Sequence, residues 1–183
     1  GQGNAVLVRT ATHSLLYDTG PRYSAESDAG HRVLVPLLAQ MGERLDVLML
    51  SHRDSDHTGG AAAVLAMQAQ AHLWSSLEDE HPLHVLRPGW TRCQTGQSWV
   101  WDGVLFEVLH PPATRAVQPG DPASKQPKPN EVSCVLRISS GHSSVSASST
   151  SLLEMVKLRG TPSDRLRPLT SISLTSEPGK AEP

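Results

Sequence analysis

Residues 44–60 read "RLDVLMLSHRDSDHTGG". A nearly continuous apolar run, 45–50, leads directly into two histidines and two aspartates at positions 52–57. Such a run is expected of a strand buried on both faces. His52 then falls at the C-terminal end of that strand, where open α/β folds place their ligands. Positions 52 and 54 share one side of an extended segment. The chain must then turn, so Asp56 and His57 approach from another direction. Thr58, Gly59 and Gly60 follow at once. Glycine permits a tight strand-to-helix turn and leaves room for close approach of a metal or phosphate. A helix N-terminus beside it would favour an anionic substrate.

His52, Asp54, Asp56 and His57 make an H-x-D-x-D-H pattern. Imidazole combined with carboxylate suits zinc, and also harder ions such as manganese. Two ligand pairs so close together allow a two-metal centre, which can generate hydroxide near neutral pH and stabilise both oxygens of a displacement. A solvated polar loop is the competing account. Against it stand the spacing, the preceding strand and the trailing glycines. Helix capping by Asp56 or Thr58 is a further role, compatible with metal binding.

Outward from this segment, "AVLVR" at 5–9 and "SLLY" at 14–17 read as strands around a polar turn. Residues 22–30 read as a loop. "HRVLVPLLAQMG" has apolar residues at 33, 34, 37, 38 and 41, which is helical spacing. Pro36 is tolerated in its first turn and Gly42 stops it. "GGAAAVLAMQAQ" reads as a second helix and "AHLWS" as a strand. "SWVWDGVLFEVLHP" reads as a hairpin about Asp102-Gly103. Residues 111–130 read as a long loop and "EVSCVLRIS" as the last strand. Beyond Gly141 the chain turns serine-dense with scattered proline, a composition of disordered tails. Only "SLLEMVKLRG" there suits a short helix.

The 183 residues fit one domain, or one domain with a tail. A net charge of -2 gives no sign of a basic surface for nucleic acid or of a membrane-binding face. No apolar run approaches the roughly 20 residues that span a bilayer. The start, without Met and on a strand, suggests a piece of something longer. Cys93 and Cys134 lack a metal-type spacing. They read as two unpaired structural thiols, with a disulfide as the alternative. His110, at a strand end beside proline, reads as structural before it reads as a third ligand. His142 is a weaker candidate, and His81 and His84 read as surface loop. Trp74, Trp90, Trp99 and Trp101 read as core packing or edge cover, with a base-stacking platform as the alternative.

The pattern at 52–57 resembles the H-x-H-x-D-H signature of the metallo-β-lactamase superfamily, with Asp54 where the second histidine usually stands. With "SH" before it and "TGG" behind, it is similar to the hydrolase domain of ComEC-type DNA-uptake competence proteins. "GQGNAVLV" at 1–8, "LLYDTGP" at 15–21 and "NEVSCVLRIS" at 130–139 resemble further family strands. The resemblance covers residues 1 to about 140. It implies an α/β (α+β) fold, an αβ/βα sandwich of two mixed sheets with helices outside, whose second half is incomplete here. It implies divalent-metal hydrolysis of DNA, with one or two zinc or manganese ions. His52, Asp54, Asp56 and His57 would be the metal ligands, Asp56 catalytic, and Asp18 would lie beneath them, hydrogen-bonded to a ligand. It also implies a water-facing, extracytoplasmic domain of an inner-membrane protein, working beside that protein's membrane channel.

After the Asn-x-x-Ser strand the family has a Gly-Asp strand supplying a bridging aspartate, then a His-His-Gly-Ser motif. Neither follows residue 139 in this sequence, and the Gly-Asp at 120–121 lies before that strand. Residues 141–183 are therefore expected to be an aberrant or disordered tail, as a frameshift would leave. The expected function is a competence-type nuclease, truncated and weakly active or inactive. A non-enzymatic remnant and a small-molecule hydrolase of lactamase or thioesterase type are the alternatives.

Overall fold

A computed structural model describes residues 2–113, 128–140, 143–147 and 170–175. In chain order its strands are β1 (Gln2–Arg9), β2 (Ser14–Tyr17), β3 (Arg22–Ser24), β4 (Ser27–Asp28), β5 (Val47–Leu50) and β6 (His72–Ser75). They continue as β7 (Thr91–Arg92), β8 (Ser98–Trp101), β9 (Val104–His110), β10 (Val135–Ser140), β11 (Ser143–Ala147) and β12 (Thr170–Thr175). The helices are α1 (Val35–Gln40), α2 (Ser55–Thr58), α3 (Ala61–Met67) and α4 (Pro82–Val85). One mixed sheet has the order β12-β1-β2-β5-β6-β7, and a second, antiparallel sheet has the order β11-β10-β9-β8. The resemblance implied that both sheets would be mixed, and among the described residues only the first is.

Period-two patterning builds the layers. Val6, Val8, Leu15, Tyr17, Val47 and Met49 point into a core between the sheets, where they meet Val104, Phe106, Val108, Leu136 and Ile138. Their alternates, Leu7, Leu16, Leu48 and Leu50, point the other way and pack with Leu34, Leu38, Val64 and Leu65 of the helical layer. β2 and β5 are thus buried at every residue. Strand β5 pairs in parallel with both β2 and β6. Parallel neighbours need crossovers, and α1 and α3 supply them. All described helical residues of the cores belong to the outer layer on the first sheet.

Helix α1 is entered through a wide π turn, Gly30–Leu34, and carries Pro36 in its first turn, where a missing N–H costs nothing. Gly42 follows its C-cap at φ +60° and ends it. Asp102 and Gly103, both at positive φ, make the β8–β9 turn. The Asp102 carboxylate accepts from Thr10 Oγ1 (2.6 Å) and the Thr12 N–H (2.8 Å), joining the turn between β1 and β2 to the second sheet.

Four expectations change. Residues 22–30, expected as loop, hold the β3–β4 ribbon and the start of the π turn. "EVSC" is not strand: Pro129–Val132 is a 3-10 turn, and the Cys134 N–H bonds Ser51 outside the ladder. Strands β11 and β12 lie beyond Gly141, where at most a helix was expected. β11 pairs with β10 and β12 with β1, and pairing to a formed edge outweighs a serine-rich composition. Cys93 and Cys134, expected as free thiols, form a disulfide between β7 and β10 and are fully buried. Sequence spacing carries no information on two sheets meeting at one end. His142, the candidate helix at 151–160 and the stretch 114–127 lie outside the described residues.

Candidate functional site

Strand β5 ends at Leu50, and Ser51 and His52, both buried, carry the chain out of the sheet. Asp54 takes the N-cap position of α2 in an extended conformation, without a side-chain cap bond. The next helix, α3, has Gly60 at its N-cap and no side-chain cap bond, so neither Asp56 nor Thr58 caps it as expected. The single turn of α2 places Asp56 at the surface side and His57 in the interior.

Asp18 lies beneath both imidazoles. It is buried at the end of β2 at φ 58°, a left-handed conformation that aspartate tolerates better than most residues. Its Oδ1 accepts the Ser51 N–H (2.8 Å), and its Oδ2 accepts Ser51 Oγ–H (2.8 Å) and His57 Nδ1–H (2.8 Å). Ser51 Oγ, having given its proton to Asp18, accepts from His52 Nδ1 at 3.0 Å. Both rings are thereby set as Nδ1–H tautomers, assigned from these partners. Both Nε2 lone pairs are left to face outward.

Outward, each Nε2 meets a carboxylate. His52 Nε2 lies 3.3 Å from Asp54 Oδ2, and His57 Nε2 lies 3.5 Å from Asp56 Oδ2. These separations exceed the usual ~2.7–3.2 Å of an N–H···O bond. They are close to the ~3.4 Å between two donors that share one tetrahedral zinc at about 2.1 Å. The two rings are 4.2 Å apart, tilted by 48°. The donor chemistry fits a divalent ion: two imidazoles held in the ligating tautomer and two carboxylates. The donor count is short. Among the described residues no group of three or more His, Cys, Asp or Glu is arranged to hold a metal.

The two histidines differ electrostatically. Burial and the neighbouring His57 push the His52 pKa down. Burial also pulls on His57, but the Asp18 hydrogen bond and the Asp18, Asp56 and Asp54 charges together outweigh it, and the net displacement is upward.

The glycines serve packing. Gly59 and Gly60 have ordinary right-handed dihedrals. A Cβ on Gly59 would collide with the backbone of Pro21 and Arg22, and one on Gly60 with Gly30 and the Thr19 carbonyl. They let the loop sit tightly on the segment after β2, where Thr19 N–H and Oγ1–H both donate to the His57 carbonyl (2.8 and 2.9 Å). Room for a metal or phosphate is not their role.

The match to known proteins agrees with this layout. The model of the metallo-β-lactamase superfamily matches residues 1–125. The chain belongs to the metallo-β-lactamase superfamily. It is 37% identical over 142 residues to the competence protein ComA of Neisseria gonorrhoeae, covering 77% of this chain and 17% of that protein. It is 33% identical to recombination protein 2 of Haemophilus influenzae, covering 79% of this chain and 16% of that protein. A hydroxyacylglutathione hydrolase of Aeromonas salmonicida is 31% identical over 58% of this chain and 37% of that enzyme. The chain spans under a fifth of the length of the competence and recombination proteins. No described helix is long and apolar enough to cross a membrane.

Three of the other described histidines have defined partners. His110 Nδ1 donates to the Ser133 carbonyl (2.8 Å). His81 and His84 do not lie in a loop as expected: His81 caps α4 and His84 is buried on it. His84 stacks on Trp90 at 3.6 Å and shares a hydrogen bond with Ser75 Oγ (2.8 Å). Its Leu-Trp surroundings were the available signal, masked by Glu78, Asp79, Glu80 and Arg87 and by two prolines nearby. Trp74, Trp99 and Trp101 pack against the core between the sheets, and Trp90 against the helical one.

Burial, reinforced by the Arg92 charge and opposed by the Asp79 carbonyl, pushes the His84 pKa below its ordinary value. The unfolded chain then takes up this proton first as pH falls through about 6.5. His84 contributes stability above that pH and loses it on acidification towards its folded pKa. Urea midpoints of wild type and His84→Gln should therefore converge as the pH is lowered from about 7.5 to about 5. A pH-independent difference would contradict this.

Proposed function

We propose that this chain is a divalent-metal hydrolase domain of a DNA-uptake protein, acting on DNA phosphodiesters with weak metal binding and slow turnover. The observation that carries the reading is the pair of outward-facing Nε2 atoms, each set against a carboxylate and each fixed from behind by Asp18 and Ser51. The likeness to competence protein ComA supports the DNA-uptake context. The fully buried disulfide supports an extracytoplasmic, water-facing site on a cell-membrane protein, because such bonds persist in oxidising compartments. The membrane channel portion of a longer protein would be its partner.

His52 with Asp54, and His57 with Asp56, would hold zinc or manganese. A bound ion would supply Lewis acidity, towards water and towards the phosphate oxygens. The chain's own work is orientation. Asp18 keeps His57 in the ligating tautomer, Ser51 does the same for His52, and Asp56, exposed at the rim, is placed to take a proton from the attacking water. Absence of the Gly-Asp and His-His-Gly-Ser motifs after residue 139 removes two donors and supports at most one weakly held ion.

The test is incubation of the purified chain with manganese or zinc and single- or double-stranded DNA. Slow cleavage is expected, lost in Asp56→Ala. No cleavage and metal far below one ion per chain would show a non-enzymatic remnant. Thioester turnover without DNA cleavage would favour the hydroxyacylglutathione-hydrolase type of chemistry.

A further inference from the structure

We propose that Cys134, locked by its disulfide to Cys93, is a positioning residue for His52. The inference rests on reading 52–57 as a donor set and extends it to the opposite sheet. Ser51 immediately precedes His52, and every polar group of Ser51 is held. Its N–H and Oγ–H go to Asp18. Its carbonyl accepts the Cys134 N–H (2.8 Å) and the Ser76 hydroxyl. The Cys134 carbonyl in turn accepts Tyr17 Oη–H at 2.5 Å.

Nothing in the β-ladder holds the Cys134 peptide. β10 begins at Val135, and its pairing with β9 shifts register between Val135 and Leu136. What fixes residue 134 is the Tyr17 bond and the covalent link to Cys93, whose own N–H is anchored on the Ser75 carbonyl (2.9 Å). The bridge therefore runs from the end of β6, through sulfur, to the Ser51 carbonyl and the His52 ring. Both cysteines are fully buried, so solution reductants do not reach them in the folded chain. The bond is a permanent lock on the site and not a redox switch.

Two variants test this: Cys93→Ser with Cys134→Ser, and Tyr17→Phe with the disulfide intact. Each is compared with wild type by imidazole 15N–1H spectra of the metal-free chain and by zinc titration. In wild type the His52 Nδ1–H signal should be sharp and protected. It should broaden or vanish in the double variant and shift in Tyr17→Phe. Zinc affinity should fall about tenfold or more in the double variant, as for other residues that orient ligands. Folded variants with unchanged imidazole signals and affinity, whatever their loss of stability, would overturn the proposal. If wild type binds no zinc, the metal reading fails and the metal-free spectra still decide on positioning. If the double variant does not fold, Tyr17→Phe decides alone.

Discussion

Replacing Asp18 by alanine is expected to destabilise the fold by about 3–5 kcal/mol and to disorder both imidazoles. Three donors lose their acceptor at once: Ser51 N–H, Ser51 Oγ–H and His57 Nδ1–H. Each lies in a region closed to water, so each lost bond exposes a desolvation cost of about 1–3 kcal/mol that nothing repays, less where a hydroxyl or ring can turn to another partner. Alanine at φ 58° adds strain of about 1 kcal/mol. Asparagine in the same place would tolerate the backbone. Its amide, however, turns a donor towards His57 Nδ1–H or Ser51 Oγ–H, so the Asp18→Asn variant should lose less stability but still release the His57 tautomer. Guanidinium denaturation of the three proteins checks the order: wild type, Asp18→Asn, then Asp18→Ala. A loss below about 1 kcal/mol for alanine would mean that the Asp18 network is not formed.

The second large effect concerns the disulfide. Its cysteines are 41 residues apart. Loop-closure entropy for that length corresponds to about 4 kcal/mol of stabilisation, acting on the unfolded chain. Unfolding in denaturant with a strong reductant should therefore begin at clearly lower concentration than without it. The segment between the cysteines includes β8 and β9, so the second sheet should open first, seen as a change in Trp99 and Trp101 fluorescence. Identical curves in both conditions would mean that the thiols are unpaired, as the sequence alone suggested.

The parts of the fold legible in the sequence are those with strong local periodicity. The apolar run ending at Leu50 announced a strand buried on both faces, and Asp102-Gly103 announced a hairpin turn. Gly42 marked the end of a helix from its backbone freedom alone, and Pro36 was compatible with the first turn. What stayed hidden depends on contacts distant in sequence. The pairing of Cys93 with Cys134 requires knowing that β7 and β10 meet end to end. Strand β12 is fixed by the free edge of β1, and the serine-rich segment gives little sign of it. His84 looked like a surface histidine because Trp90, the ring that covers it, follows after a turn. The glycines at 59 and 60 were noticed correctly but for the wrong cause, since the backbone they make room for lies at 19–30.

Within the site, the residue types and their spacing singled out His52, Asp54, Asp56 and His57, which the structure brings together as two His–Asp pairs. The sequence could not show that the two histidines are held differently from behind, His57 by Asp18 itself and His52 through Ser51. That difference is set by the left-handed turn at Asp18 and by the placement of Ser51 between the carboxylate and the ring. Nor could it show that the four side chains assemble as two pairs, with no group of three or more His, Cys, Asp or Glu arranged to hold a metal among the described residues.

The chemistry proposed for this chain depends on His52 and His57 presenting their Nε2 lone pairs, each beside a carboxylate, as metal donors. Crystals grown in zinc, with data collected on both sides of the zinc absorption edge, decide whether they do. An anomalous peak is expected about 2.1 Å from Nε2 of His52 or His57 and in contact with Asp54 or Asp56. Crystals in saturating zinc that show both Nε2 atoms bonded to protein or water, with no peak beside them, would contradict it.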